Sequence, residues 1–128
     1  MIDRVDRDVQ RLLHMLEGIK RLKQMLDGLS REDFLDDYSK QDAASFVIST
    51  VGEAASHISE GLQAKYPDIP WRQLRGIRNR LVHIFDYDEI DYDIVWNVAT
   101  LELPAIEPRV REALASIPLP DDFTLPEV

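Results

Sequence analysis

The 128-residue sequence contains no cysteine, so disulfides, thiolate metal sites and a cysteine nucleophile are excluded. Histidine is scarce at three and glycine at five. The glycines form neither a GxGxxG nor a Walker pattern, and no nucleophile-elbow motif marks a serine hydrolase. No apolar run approaches the ~20 residues of a membrane span. The opening MIDRVDRDVQ is charged from its third residue and has no signal-peptide core. The expectation is a soluble cytoplasmic chain with no membrane partner. Positive charge is also in deficit, with 15 Lys plus Arg against 24 Asp plus Glu and a formal charge of −9. That balance argues against a broad cationic coat for duplex DNA or anionic lipid.

The deficit is uneven. Between Asp68 and Asp86 stand Arg72, Arg75, Arg78, Arg80 and His83 without a carboxylate among them, whereas 11 acids and only Arg109 and Arg111 follow from Asp86 onward. This window is the place where a polyanion would be welcome. Two readings remain open for its arginines: they pair with the flanking acidic stretches, or some of them face a ligand.

Hydrophobic spacing predicts helices throughout. Ile2, Val5, Val9, Leu12, Leu16, Ile19, Leu22 and Leu26 recur at steps of three and four over residues 2–26, one apolar stripe on a long helix. Gly28 stops it, and Ser30 caps a short turn, Arg31 to Leu35. A second stripe over Gln41 to Leu62 carries Ala44, Val47, Ile48, Val51, Ala54, Ala55 and Ile58. The prolines of Tyr66-Pro67-Asp68-Ile69-Pro70 enforce extended backbone, and Pro70 is placed to open a third helix through Trp71, Leu74, Ile77, Leu81 and Val82. An acidic and aromatic loop, Phe85 to Tyr92, leads to a last helix from Ile94 to Leu114, which Pro104 and Pro108 should bend or interrupt. The expected fold is all-α, an antiparallel bundle of four main helices over residues 1–117, with a proline-rich, non-helical tail over 118–128. The first stripe suits a bundle core and also a helix that pairs with a second copy of the chain.

Few residues offer chemistry. His14 lies within the first helix with no evident role. His57 stands at helical spacing from Glu53 and Glu60, a cluster short of the ligands a metal site needs, so no metal and no cofactor is expected. His83 differs because it closes the arginine window. Cleavage of an RNA phosphodiester needs a group to take the 2′-hydroxyl proton, a group to protonate the leaving 5′-oxygen, and cationic donors on the phosphate oxygens. Histidine serves the first two in alternating protonation states, and a guanidinium fork serves the third. Five residues of ideal helix separate Arg78 and His83 by ~140° in rotation. Either the helix ends near Val82 and the chain turns His83 back, or two subunits share the site.

The stretches QDAASFVISTVGEAA, YPDIPWRQLRGIRNRLVHIF and DYDIVW resemble the HepT-like branch of the HEPN superfamily, in order from about Ser30 to Pro104. The resemblance implies a HEPN-like helical homodimer and a metal-independent RNA endonuclease. It also implies the toxin role of a toxin–antitoxin pair whose antitoxin is a small nucleotidyltransferase of the MntA type. By motif match, Arg78 would bind phosphate, His83 would be the catalytic acid/base and Asn79 would hold the turn, unless Asn79 only closes a helix end; Arg75 and Arg80 would support. Two departures stand out. Phe85 occupies the place of the motif's tyrosine, whose hydroxyl is modified with AMP in such systems, and Tyr87 is the nearest substitute. Phe46 and Val47 occupy positions where many relatives carry an Arg-Asn pair. A second reading is therefore a catalytically silent dimer that binds a nucleotidyltransferase or a nucleotide through the Arg72 to Arg80 segment.

Overall fold

A computed structural model describes residues 6–77 and 91–128. Every regular element among them is helical. The first helix, α1 (Arg7–Leu26), starts one turn later than the stripe alone predicted, at the N-cap Asp6, whose carboxylate accepts from the amide of Asp8 at 2.7 Å; Ile2 and Val5 lie outside the described residues. Its stripe is real: Val9, Leu12, Leu16, Ile19, Leu22 and Leu26 are buried, joined by Met15. Gly28 ends the helix in the left-handed region at φ 77°, where a β-carbon would be strained.

Ser30 opens α2 (Arg31–Leu35) through a capping box. Its hydroxyl accepts from the amide of Asp33 at 3.0 Å, and the Asp33 carboxylate accepts from the amide of Ser30 at 3.2 Å. The buried Gln41 then closes the far end of this turn, its Nε2 donating to the carbonyls of Phe34 and Leu35 at 3.0 and 2.9 Å. Phe34, fully buried, packs against Tyr92 and Trp96.

The predicted second helix is two. α3 (Tyr38–Ser56) ends at His57, and α4 (Glu60–Lys65) begins after Ser59. The break has a tertiary cause: the Ser59 amide donates to Asp8 Oδ1 at 2.8 Å and its hydroxyl donates to Asp8 Oδ2, so the new helix start is pinned to the start of α1. Ile58 and Leu62 are both buried, so the apolar spacing runs on although the helix does not.

Helices α1 and α3 run antiparallel, since Asp8 meets Ser59 while Gly18 meets Val51 and Val47. They form the most extensive helix pair among the described residues. At Gly18 the two approach so closely that a β-carbon would overlap Val51 Cγ2.

A helical run over residues 71–77, α5, follows the double-proline segment. The last helix is interrupted as the prolines suggested, by a particular device. α6 (Tyr92–Asn97), capped by Asp91, passes into a π-helical turn at Val98–Glu102 and then into α7 (Leu103–Ala115). Pro104 at the start of α7 has no N–H to give the carbonyl four residues back, and a wider turn there relieves the mismatch. Pro108 lies inside α7. α7 packs on α1, with Glu107 held by Lys23 and Arg111, and these cations hold the Glu107 carboxyl below its usual range. Beyond Ser116 the chain carries no helix and returns across this seam, where Leu119 and Val128 rest on the core. No helix among the described residues is long and apolar enough to cross a membrane.

Candidate functional site

The arginine window begins on α5, and its amphipathic pattern decides which side chains reach solvent. Trp71, Leu74 and Ile77 are buried at 6%, 2% and 4% exposure, which turns Arg72 and Arg75 outward. Arg72 has no ion pair among the described residues. Arg75 is also exposed and gives one donor, Nη1, to Gln63 Oε1 at 2.8 Å, while Gln63 is itself oriented by its Nε2 donating to the Ile58 carbonyl at 2.9 Å. Neither arginine is neutralised by a flanking carboxylate among the described residues. Arg78, Asn79, Arg80, His83, Phe85 and Tyr87 lie outside the described residues.

What precedes α5 is tightly built. Ile69 donates its amide to the Tyr66 carbonyl at 3.1 Å, Trp71 donates its amide to Ile69 at 2.8 Å, and Leu74 donates to Pro70 at 2.9 Å. The Trp71 indole N–H also donates to the Tyr66 carbonyl, at 3.0 Å. Arg109 of α7 then clamps the segment from outside. Its Nε and Nη2 hold the two Asp68 oxygens at 2.6 and 2.8 Å, its Nη1 meets Glu112, and its guanidinium lies 4.9 Å from the centre of the Tyr66 ring. The bidentate bond lowers the Asp68 pKa below the ordinary carboxylate value, and the two carboxylates raise that of Arg109. The entry to the arginine window is thus fixed to α7 by a fork that sequence spacing alone does not reveal, because its partners lie 41 residues apart.

A second feature lies across the α1–α3 face. Arg11 and His14 of α1 and Ser49, Thr50, Glu53 and Ala54 of α3 line an open cleft of about 440 Å³. Glu53 Oε1 is hydrogen-bonded to His57 Nε2 at 3.1 Å. The pairing of His57 with Glu60 that helical spacing predicted fails, because α3 ends before it. Among the described residues no three His, Asp or Glu are placed to share a metal ion. Of the two positions that the resemblance sets against an Arg-Asn pair, Val47 is buried at 1% exposure whereas Phe46 stands 63% exposed. Of this pair, Phe46 faces solvent.

The sequence profile of the family described as Ribonuclease HepT-like matches residues 15–113. A protein named "Putative RNase" from Caldanaerobacter subterraneus subsp. tengcongensis is 30% identical over 103 residues, covering 80% of this chain and 90% of the relative. Another of that name from Methanocaldococcus jannaschii is 27% identical over 120 residues, covering 93% and 98%. The "Probable ribonuclease HepT" of Thermococcus cleftensis is 28% identical over 96 residues, covering 75% and 86%. No solved structure matches the chain.

Proposed function

Because this chain belongs to the Ribonuclease HepT-like family, we propose that it is a metal-independent endoribonuclease, the toxin of a cytoplasmic HepT/MntA-type toxin–antitoxin pair. The observation that carries this reading is the acid-free window of four arginines closing on His83, inside the region that the family profile covers. The helices complete an antiparallel HEPN-like bundle of four main helices over residues 1–117, with residues 118–128 as a tail, and two copies pair so that their windows form one groove.

In that groove His83 in its neutral form takes the proton of the RNA 2′-hydroxyl. The 2′-oxygen bonds to phosphorus, the bond from phosphorus to the 5′-oxygen breaks, and the partner's His83 in its protonated form gives its proton to the leaving oxygen. The products are a 2′,3′-cyclic phosphate and a 5′-hydroxyl. Arg78 stabilises the charge that grows on the phosphate oxygens, where a planar fork outperforms an ammonium. Asn79 holds the turn, and Arg75 and Arg80 add positive field. No step calls for a Lewis acid, so no metal or other cofactor takes part. A nucleotidyltransferase partner controls the enzyme, and Tyr87 is the modification site in place of the hydroxyl that Phe85 lacks.

The test is incubation of the purified chain with RNA in EDTA. The expected result is cleavage to cyclic-phosphate ends that persists in chelator and disappears in His83→Ala and Arg78→Ala. No cleavage at any protein concentration by a folded chain overturns the reading and leaves the silent, partner-binding dimer.

A further inference from the structure

The cleft between α1 and α3 is chemically two-sided. On the α1 wall, Arg11 and His14 are donors, and neither has a hydrogen bond or ion pair to any described residue. In a chain of net charge −9, whose Lys23, Arg31, Arg109 and Arg111 are ion-paired, both groups are left to meet a ligand. On the α3 wall the chemistry is reversed. The hydroxyl of Ser49 donates to the Phe46 carbonyl at 2.6 Å and that of Thr50 to the Val47 carbonyl at 2.7 Å. Each hydroxyl proton is spent on the helix, so both oxygens face outward as acceptors, and the Glu53 carboxylate continues the same wall. One turn before Thr50 on the same face stands the exposed ring of Phe46.

A ligand that satisfies both walls carries an anion on one side, hydroxyl or N–H donors on the other, and a flat apolar surface at one end. A ribonucleotide unit has these three parts: phosphate, 2′-hydroxyl and base. The cleft volume of about 440 Å³ falls within the ~300–1,000 Å³ of small-ligand sites. We propose that the α1–α3 cleft is a ribonucleotide-binding subsite for single-stranded RNA. Arg11 and His14 hold a phosphate, the Thr50 and Ser49 oxygens accept from the ribose 2′-hydroxyl, and Phe46 stacks on a base. This subsite rests on the ribonuclease reading for its biological setting, but its binding chemistry does not depend on cleavage. It lets an acidic protein hold RNA through the α1–α3 face.

The experiment measures binding of a fluorescent single-stranded 12-mer, as RNA and as DNA of the same sequence, to the full chain carrying His83→Ala so that the RNA is not cut. Added Arg11→Ala is expected to weaken RNA binding severalfold and to reduce the slope of log affinity against log salt by about 0.7, the loss of one single-strand phosphate contact. Thr50→Val, which keeps the shape and removes the acceptor, is expected to weaken RNA and leave DNA unchanged. Phe46→Ala is expected to weaken both about tenfold, the scale of one lost stacking contact. Melting curves confirm that each surface variant stays folded. An unchanged salt slope in Arg11→Ala, or equal losses for RNA and DNA in Thr50→Val, overturns the subsite. Uridine 5′-monophosphate is titrated in parallel: Arg11-dependent binding of the mononucleotide without Arg11-dependent binding of the 12-mer shows a free-nucleotide site and overturns the RNA assignment. Cleavage of RNA by the parent chain without any Arg11 dependence removes the subsite alone. An Arg11-dependent 12-mer complex with a parent chain that never cuts RNA removes the nuclease alone.

Discussion

Replacing Gly18 by alanine sets two effects of opposite sign against each other. Alanine in a helix interior is favoured over glycine by about 1 kcal/mol, and Gly18 lies well inside α1. On propensity alone the variant would be more stable. The new β-carbon, however, would overlap Val51 Cγ2 and lie 3.6 Å from Val47 Cγ1. Val51 is fully buried, so its methyl cannot swing into solvent. Overpacking of this kind costs about 1–3 kcal/mol, and we take the upper half of that range because the obstacle is a β-branched side chain with few rotamers. The net expectation is a loss of about 1–2 kcal/mol, or a fall in Tm of about 4–8 °C for a domain of this size. Thermal and urea melts followed by circular dichroism measure it. The decisive companion is the cycle with Val51→Ala. That substitution alone leaves a cavity and costs about 2 kcal/mol. In the double variant the methyl introduced at position 18 enters the vacated space, so the coupling should favour the pair by at least about 1 kcal/mol. A rise in Tm for Gly18→Ala, or additivity within about 0.5 kcal/mol, would refute the close approach of α1 and α3.

Ser59→Ala removes both a hydroxyl bond to the buried Asp8 carboxylate and the cap that accepts from the Leu62 amide at 3.3 Å. The expected cost is about 2 kcal/mol by urea melts, combining a hydrogen bond to a charged group with an N-cap. A neutral result would show that the break between α3 and α4 is not held by this contact. The Asp68 pKa is lowered in the fold, so its clamp stabilises above the usual carboxylate pKa and is lost as pH falls through the lowered value. Asp68→Asn should therefore lower Tm at neutral pH and flatten the acid limb of the Tm–pH curve, and parallel acid limbs for parent and variant would count against the clamp.

Much of this architecture was legible because a buried face imposes a period. The stripe of α1 and the small residues of α3 became the principal helix pair. Period alone could not locate the end of α3. Ile58 and Leu62 keep the apolar spacing across the break, while the cause, Asp8, is 51 residues away. The prolines at 104 and 108 announced a disturbance, but the π turn before them depends on which backbone carbonyls find donors. The site divides in the same way. Arginine and histidine chemistry, and the family resemblance, could be read from types and spacing along one segment. The Arg109 fork on Asp68 and the Arg11–His14 wall opposite Ser49 and Thr50 could not, because each joins separate helices and exists only once those helices have crossed. His14 looked idle for that reason.

The π turn at Val98–Glu102 also makes this point of the chain tolerant of a change in length. A π turn accommodates one residue more than an α turn, and each residue advances an α-helix by about 100°. Removing a single residue there would give a more regular helix and leave everything beyond it facing nearly the same way relative to α6, because the five residues of the wide turn cover about the rotation, roughly 400°, that four α-helical residues cover. Glu107 would still face Lys23 and Arg109 would still face Asp68, whereas a deletion in the regular α-helix of α6 would rotate α7 by about 100° and part both pairs with no side chain in either altered. The turn thus absorbs a one-residue difference in length, and relatives that lack one residue here should anchor the arginine window in the same way.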